Sequence, residues 1–144
     1  WSYVDLADQM RRWITNPSSD LHELFKRIVF NGLVSNTDDH PRNHGFINIG
    51  NGYMLSPVYD LVPKPETGST RYLAMPFGKK GREFNIDNLL SNAEAFDLSK
   101  EDAKAIFESL KSTTSNWRSF FSAHGLANSD MQYLEKAFNH CDAL

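Results

Sequence analysis

The apolar positions at the start of the chain recur at helical spacing. Ser2 followed three residues later by Asp5 matches a capping box, which predicts a helix that begins there and runs to about Trp13. Residues 16–19 read NPSS, and this turn chemistry ends the helix. The predicted apolar face of the helix consists of Leu6, Met10 and Trp13.

A second helical pattern starts at Asp20. Its apolar residues fall at i, i+3, i+4 and i+7 over about four turns, which predicts a buried helix. We expect this helix to end at the polar run that begins with Ser35. The apolar face consists of Leu21, Leu24, Phe25, Ile28, Val29 and Leu33.

The middle of the chain predicts a β-hairpin followed by a long loop. Residues 45–49 and 53–55 read as two short strands, and Asn51-Gly52 between them favours a type I′ turn, which needs positive φ at both central residues. Residues 62–82 are rich in Pro and Gly and predict a loop.

The remainder of the chain predicts helices. Ser99 is placed to cap a long helix whose apolar face continues to Phe121, Gly125 can supply its C-terminal cap, and Ser129 can cap a last helix. An earlier helix carries an apolar face of Ile86, Leu89, Leu90, Ala93 and Phe96. The aromatic residues at helical spacing that we expect in the core are Trp13, Trp117, Phe120 and Phe121.

These patterns predict one α+β domain, predominantly helical, with an inserted β-hairpin. The 144 residues are 40% hydrophobic and 12% aromatic, which excludes a disordered chain. The formal net charge of −3 argues against a nucleic-acid-binding domain, and the basic group at residues 79–82 is typical of a solvated loop.

The composition also bears on the compartment. Charged residues interrupt the longest apolar run, in residues 24–34, so we expect no membrane span. The single cysteine, Cys141, can form no internal disulfide and is expected to be filler or a surface thiol. These features favour a cytoplasmic protein.

A polar run separates the second helix from the hairpin. Residues 35–44 contain no Leu, Ile, Val or Met, although they lie between two apolar elements. Asp38 and Asn43 have the separation of the Asp and Asn in the catalytic loop of protein kinases, where the Asp orients the attacking hydroxyl and the Asn binds a metal ion. This spacing alone is also compatible with a solvated loop.

The predicted hairpin brings a third polar residue close. Asn43 precedes the turn by about as many residues as Asp60 follows it, and paired strands lie about 4.8 Å apart, so the two ends return to nearly the same place. An amide oxygen and a carboxylate oxygen are ligands that Mg²⁺ accepts. The pattern therefore favours a metal-dependent phosphoryl-transfer site.

Other chemistries fit the same run less well. Asp38, Asp39, His40 and His44 could form a transition-metal hydrolase site, but no second segment rich in His or Cys completes a coordination shell. The sequence contains no G-x-S-x-G elbow, which argues against hydrolysis by a serine nucleophile. We expect the remaining histidines to be ordinary core or surface residues, namely His22, His44, His124 and His140.

Two linked motifs resemble a known family. Residues 36–44 read NTDDHPRNH, and residues 55–61, after the hairpin, read LSPVYDL. This combination closely resembles the C-terminal domain of HipA-like kinases, whose members typically show N-x-D-x-H-x-x-N and then S-P-x-Y-D. The resemblance continues through residues 72–75 and the trailing helices, so it covers nearly all of the chain.

The resemblance implies a serine/threonine protein kinase of a toxin–antitoxin system, with the C-terminal lobe of a kinase-like fold. Asp38 then corresponds to the catalytic aspartate, and His40 stands where other kinases often carry a catalytic-loop lysine. Asn43 and Asp60 correspond to the Mg²⁺ ligands, and Arg42 is a candidate contact to phosphate. ATP is the implied phosphoryl donor.

The resemblance also implies partners. Family members are expected to phosphorylate proteins, with aminoacyl-tRNA synthetases as one class of target. They often pair with a helix-turn-helix antitoxin, so we expect DNA contact only through that partner.

The parts that hold nucleotide phosphates are missing from the sequence. Residues 1–144 contain no G-x-G-x-x-G, no P-loop and no strand with a V-A-I-K lysine. In the family this nucleotide lobe lies on the N-terminal side, and because the chain starts at Trp1 we expect further polypeptide before it. The isolated chain is expected to be inactive as a kinase. The alternative is a non-catalytic kinase-like module that docks an antitoxin or another protein.

Overall fold

The computed structural model describes residues 1–65 and 68–138. The described part is predominantly helical with one small antiparallel sheet, as the sequence predicts. Cys141 and His140 lie outside the described residues. The helices are α1 Tyr3–Trp13, α2 Pro17–Leu33, α3 Ile86–Leu90, α4 Lys100–Ser115, α5 Trp117–Ala123 and α6 Asn128–Phe138; the strands are β1 Phe46–Asn48 and β2 Tyr53–Leu55; 3₁₀ turns span Pro41–Asn43 and Ala93–Phe96.

The capping box at the start of α1 is confirmed. The Ser2 hydroxyl accepts a hydrogen bond from the Asp5 amide at 3.0 Å, and the Asp5 carboxylate accepts one from the Ser2 amide at 2.9 Å. The helix buries Tyr3, Leu6, Ala7 and Met10. Trp13 is instead 65% exposed, so its assignment to the core was wrong: it lies in the last turn of α1, where the helix ends beside the exposed hairpin.

Helix α2 is the central element of the core. It begins at Pro17, three residues earlier than predicted, because proline is compatible with the first helical position, where its missing N–H needs no partner. Its apolar face is fully buried and packs against α1 and α4. One buried cluster therefore joins α1, α2, α3 and α4 with Leu55 of the hairpin.

The hairpin forms in the predicted place with a different turn. Phe46 pairs with Leu55 and Asn48 with Tyr53, which leaves residues 49–52 as the loop. Positive φ occurs at Gly50 and Gly52 and not at Asn51, so the type I′ prediction was wrong. The reason is a local alternative: the Asn48 side chain accepts a hydrogen bond from the Gly50 amide at 2.7 Å, and Gly50 takes the positive φ without steric cost.

The predicted long C-terminal helix is two helices. Thr113, Thr114, Ser115 and Asn116 each donate a side-chain hydrogen bond to the carbonyl four residues earlier, and α4 ends where this series ends. Such bonds compete with the backbone ladder and bend helices. Likewise, residues 86–96 form α3 and a separate 3₁₀ turn and not one helix.

The last two helices follow the sequence signals in part. Gly125 has a φ of 82°, and the Leu126 amide donates to the Phe121 carbonyl at 3.0 Å, which confirms the predicted cap as that of α5. Helix α6 begins at Asn128, so Ser129 is not its cap. Trp117 and Phe121 are partly buried against Phe138, whereas Phe120 is 59% exposed and is not a core residue. No helix within residues 1–65 and 68–138 is long and apolar enough to cross a membrane.

The C-terminus of α2 fixes where the polar run begins. Ser35 has a φ of 57°, and the Asn36 amide donates to the Asn31 carbonyl at 2.8 Å, which is the Schellman pattern usually made by glycine. The Ser35 hydroxyl donates to the Ala137 carbonyl at 2.7 Å and accepts from the Arg71 guanidinium at 2.8 Å. The side chain thus joins α2 to α6, a contact that glycine could not make.

We expect Gly32→Ala to destabilise the protein although alanine favours helices by about 1 kcal/mol. A Cβ at Gly32 would lie 2.1 Å from the buried ring of Phe84, and overpacking of this kind costs about 1–3 kcal/mol or more. The measurement is the free energy of unfolding in urea. Ser109→Ala on the exposed face of α4 is the control and is expected to be neutral or slightly stabilising; a stabilised Gly32→Ala variant would contradict the packing described here.

Asp97 gives the protein an acid-sensitive contact. The hydrogen bond from Arg11, at 2.9 Å, and a second from Ser18 hold the pKa of Asp97 below its ordinary value of 3.8. A lowered pKa means that the contact stabilises the fold above about pH 3.8 and is lost as the pH falls further. With both partners about a third exposed, we expect it to contribute less than about 1 kcal/mol.

We therefore expect Asp97→Asn to lower the free energy of unfolding at pH 7. The difference from the wild type is then expected to shrink as the pH falls below about 4. Denaturant unfolding across this pH range measures it, with Asp87→Asn, whose side chain is 80% exposed, as the control. A difference that stays constant down to pH 2 would show that the carboxylate charge does not act there.

Candidate functional site

The polar run folds into a tight turn on the end of α2. The His40 amide donates to the Asp38 carbonyl at 2.9 Å, and the Asn43 amide donates to the His40 carbonyl at the same distance. Pro41 starts the 3₁₀ turn, since its fixed φ suits a first helical position. The Asn43 side-chain Nδ2 also points to the Asp38 carbonyl, at 3.4 Å. The turn therefore places Asp38 and Asn43 side by side.

The segment after β2 returns to this turn. The Ser56 amide donates to the Gly45 carbonyl at 2.9 Å, and the Tyr59 hydroxyl donates to the Arg42 carbonyl at 2.8 Å. Asp60 has a φ of 58°, in the left-handed region that few residues other than Gly, Asn and Asp adopt. The chain therefore reverses direction at Asp60, next to the polar turn.

These segments enclose a polar pocket of about 310 Å³. It contains three of the residues that the sequence predicts to act together: Asp38, Asn43 and Asp60. The two carboxylates are exposed to the pocket, and Asn43 is 5% exposed. The full lining is Asn36, Asp38, Asn43, Asp60, Val62 and Lys64.

Two of the polar lining residues were not predicted as site residues. Asn36 donates through Nδ2 to the Asn31 side chain at 3.0 Å and approaches the Asp60 carbonyl at 3.5 Å, so it connects α2 to the Asp60 segment. Lys64 brings a positive charge to the pocket. The first letter of the N-x-D motif pointed to Asn36, whereas Lys64 lies in a loop with no pattern that predicts its position.

The other two predicted residues lie near the pocket and do not line it. His40 is partly buried and caps the 3₁₀ turn, and its Nδ1 atom is buried without a hydrogen-bond partner. Arg42 is exposed and does not line the pocket. A phosphate contact by Arg42 stays a prediction, and Lys64 is the cation that lines the pocket.

Asp39 is buried directly behind the pocket. Its Oδ2 atom accepts hydrogen bonds from the Tyr3 hydroxyl at 2.6 Å and from the Asn31 side chain at 2.8 Å. Burial raises the pKa of Tyr3 well above its usual value, and the Asp39 charge raises it further, so the hydroxyl remains a donor. The sequence predicts no structural role for Asp39, because nothing in the polar run indicates which of its residues the helices bury.

His44 completes this buried group. Its Nε2 atom lies 3.2 Å from Asp39 Oδ2, but the ring is not aligned for a hydrogen bond. The ring packs edge-on against Tyr3, with centroids 5.9 Å apart. The prediction that His44 is a core histidine is consistent with its burial.

The donor set of the pocket fits a hard cation. Asn43 uses Nδ2 toward the Asp38 carbonyl, which leaves Oδ1 as the atom that it can offer to a metal, and Asp60 offers a carboxylate. Mg²⁺ takes such oxygen ligands and keeps several waters. Among the described residues, no group of three or more His, Cys, Asp or Glu side chains is arranged to hold a metal ion.

Sequence comparison places the chain in a known family. The family model of the HipA-like C-terminal domain matches residues 1–117, and the chain belongs to this family. Both the polar turn and the Asp60 segment lie inside the matched region.

Relatives of this chain carry kinase names. It is 35% identical over 79 residues to a Haemophilus influenzae protein named "Putative kinase" and 29% identical over 82 residues to "Putative kinase Y4mE" of Sinorhizobium fredii. The matches cover 52% and 55% of this chain. They cover only 23% and 19% of the two relatives, so the relatives are several times longer than the matched region.

Proposed function

We propose that this chain is the catalytic and metal-binding C-terminal part of a serine/threonine protein kinase of the HipA-like family. The observation that carries the proposal is the single pocket into which the fold brings Asp38, Asn43 and Asp60. These residues match the Asp, Asn and Asp that kinases use for the substrate hydroxyl and the metal ions. The family membership and the kinase names of the relatives support the same class of reaction.

In the proposed reaction, Asp38 orients the hydroxyl of a substrate Ser or Thr and accepts its proton. The hydroxyl oxygen forms a bond to the γ-phosphorus of ATP, and the bond from that phosphorus to the β–γ bridging oxygen breaks, which releases ADP. Asn43 and Asp60 would hold Mg²⁺, which would neutralise charge on the phosphate oxygens. Lys64 contacts the phosphates from the other side of the pocket, and His40 supports the turn that carries Asp38.

The phosphate cradle would come from outside this chain. Positioning and charge neutralisation are nearly all of phosphoryl-transfer catalysis, so a pocket without a cradle is expected to be nearly inactive alone. The greater length of the relatives leaves room for a nucleotide lobe. A protein substrate, with aminoacyl-tRNA synthetases as one class, and a helix-turn-helix antitoxin that contacts DNA belong to the same proposal.

In the full-length natural kinase, we expect Asp38→Asn and Asp60→Asn each to lower kcat by at least about 10²-fold, because one loses the proton acceptor and the other a metal ligand. Radiolabelled phosphate transfer from ATP to protein measures the loss, and circular dichroism checks the fold. Asp87→Asn on the exposed face of α3 is the control. If either site variant kept wild-type turnover, the assignment of that residue would be wrong.

Lys64 and Arg42 form a matched pair of exposed cations. If Lys64 contacts phosphate, Lys64→Ala is expected to raise the KM for ATP about tenfold, equivalent to about 1.4 kcal/mol, while Arg42→Ala changes it less than about twofold. Steady-state kinetics on the full-length kinase separates the two. A larger increase in the KM for ATP in Arg42→Ala than in Lys64→Ala would assign the phosphate contact to Arg42 and contradict the role of Lys64.

A non-catalytic docking module is the second candidate. It is favoured by an apolar groove of about 620 Å³ beside α5, where Phe120 is 59% exposed and Trp117 and Phe121 are partly buried. Contiguous exposed apolar surface of this kind often marks a protein-binding site. Mg²⁺-dependent ATP binding by the full-length protein discriminates: binding that is lost in Asp60→Asn supports the kinase, and an absence of binding supports the docking module.

A further inference from the structure

The buried carboxylate of Asp39 does not line the pocket, yet it connects the polar turn to α1 and α2. Asp39 is 3% exposed, and Asp38, next to it in the chain, is exposed. A buried carboxylate is costly unless hydrogen bonds compensate for the lost water. The Asp39 contacts therefore hold the turn in one position.

The contacts reach two helices outside the turn. Tyr3 belongs to the first turn of α1 and is fully buried, and Asn31 belongs to the last turn of α2 and is 1% exposed. Both donate to the same Asp39 oxygen, at 2.6 Å and 2.8 Å. Two packed helices thus fix the position of the residue that follows Asp38.

The same network continues to the other side of the pocket. The Asn31 Oδ1 atom accepts from Asn36 Nδ2 at 3.0 Å, and Asn36 Nδ2 approaches the Asp60 carbonyl at 3.5 Å. From Asp39 to Asp60 the path is therefore Asp39, Asn31, Asn36, Asp60. It joins the polar turn, which carries Asp38 and Asn43, to the segment that carries Asp60.

We infer that Asp39 is a positioning residue, which sets the separation between Asp38, Asn43 and Asp60 through the Tyr3, Asn31 and Asn36 side chains. The expected effect on catalysis rests on the proposed kinase function. The expected effect on the structure of the turn rests only on the contacts described above. Residues that orient metal ligands and catalytic groups typically change metal affinity or activity about 10- to 100-fold when they are replaced.

Three variants of the full-length natural protein test whether the hydrogen bonds to Asp39 position the turn. Tyr3→Phe removes one donor and leaves the ring in the core. Asp39→Ala removes the acceptor and leaves two buried donors without a partner, whereas Asp39→Asn keeps an oxygen that can accept from both. Asn88→Ala is the matched control, because Asn88 is also fully buried and donates to the Glu83 carbonyl at 2.7 Å, in a polar network that does not line the pocket.

Two measurements read the result without relying on kinase activity. Hydrogen–deuterium exchange of peptides from residues 35–45 reports the turn, where the Asn36, His40 and Asn43 amides are hydrogen-bonded. Electron paramagnetic resonance of added Mn²⁺ reports the affinity of the pocket for a divalent cation. We expect Tyr3→Phe and Asp39→Ala each to increase the amide exchange rate of this peptide at least about tenfold. We also expect each to lower the affinity for Mn²⁺ about 10- to 100-fold.

Asp39→Asn is expected to restore most of the protection, and Asn88→Ala is expected to leave both measurements unchanged. If Tyr3→Phe folds and exchange and Mn²⁺ affinity both stay at wild-type values, the inference is overturned; this holds even if Asp39→Ala does not fold. If the wild type binds no Mn²⁺, the proposed metal site fails, and the exchange data then decide the positioning role by themselves.

Discussion

A carboxylate inside the core is the constraint around which the rest of this structure is arranged. Removing a charge from water costs several kcal/mol, and hydrogen bonds to a charged group return about 1.5–3 kcal/mol each. Asp39 obtains such bonds only when α1, α2 and the polar turn come together, so the packing of the helices and the shape of the turn are not independent. Burial of the apolar face of α2 stabilises the packed helices. The hydrogen bonds to Asp39 fix how α1, α2 and the polar turn are positioned relative to one another.

The C-terminal half supports the same junction from the opposite side. Arg71 is 4% exposed and donates to the Lys136 carbonyl at the end of α6 and to Ser35 at the end of α2. A guanidinium at a helix C-terminus is favourable because the last carbonyls carry partial negative charge. The start of the polar turn is therefore attached to α6 as well as to α2.

Much of this arrangement could be predicted from the sequence, where local chemistry decides the outcome. The capping box at Ser2, the apolar face of α2 and the glycine cap at Gly125 act within one turn of helix, and all three are confirmed. The grouping of Asp38, Asn43 and Asp60 followed from the return path of a hairpin, which is also a local property.

The errors lie where a longer-range contact or a competing local bond decides. The side chains of residues 113–116 interrupt the predicted helix through bonds to their own backbone, and Asn48 selects a different turn from the one that Asn51-Gly52 favours. Trp13 and Asp39 are an instructive pair: the apolar residue is exposed and the charged residue is buried. Their positions depend on which element packs over each, and hydrophobic spacing along one helix does not contain that information.

The segment that follows Asp60 is a shared wall between two dissimilar cavities. Asp60, Val62 and Lys64 face the polar pocket, and Leu61 and Pro63 face the aromatic groove beside α5. Neighbouring residues of one short stretch thus have opposite surroundings, mostly polar side chains on one side and aromatic rings on the other. A shift of this stretch toward one cavity would change the shape of the other. Whatever occupies the aromatic groove is therefore mechanically coupled to the positions of the carboxylates in the polar pocket.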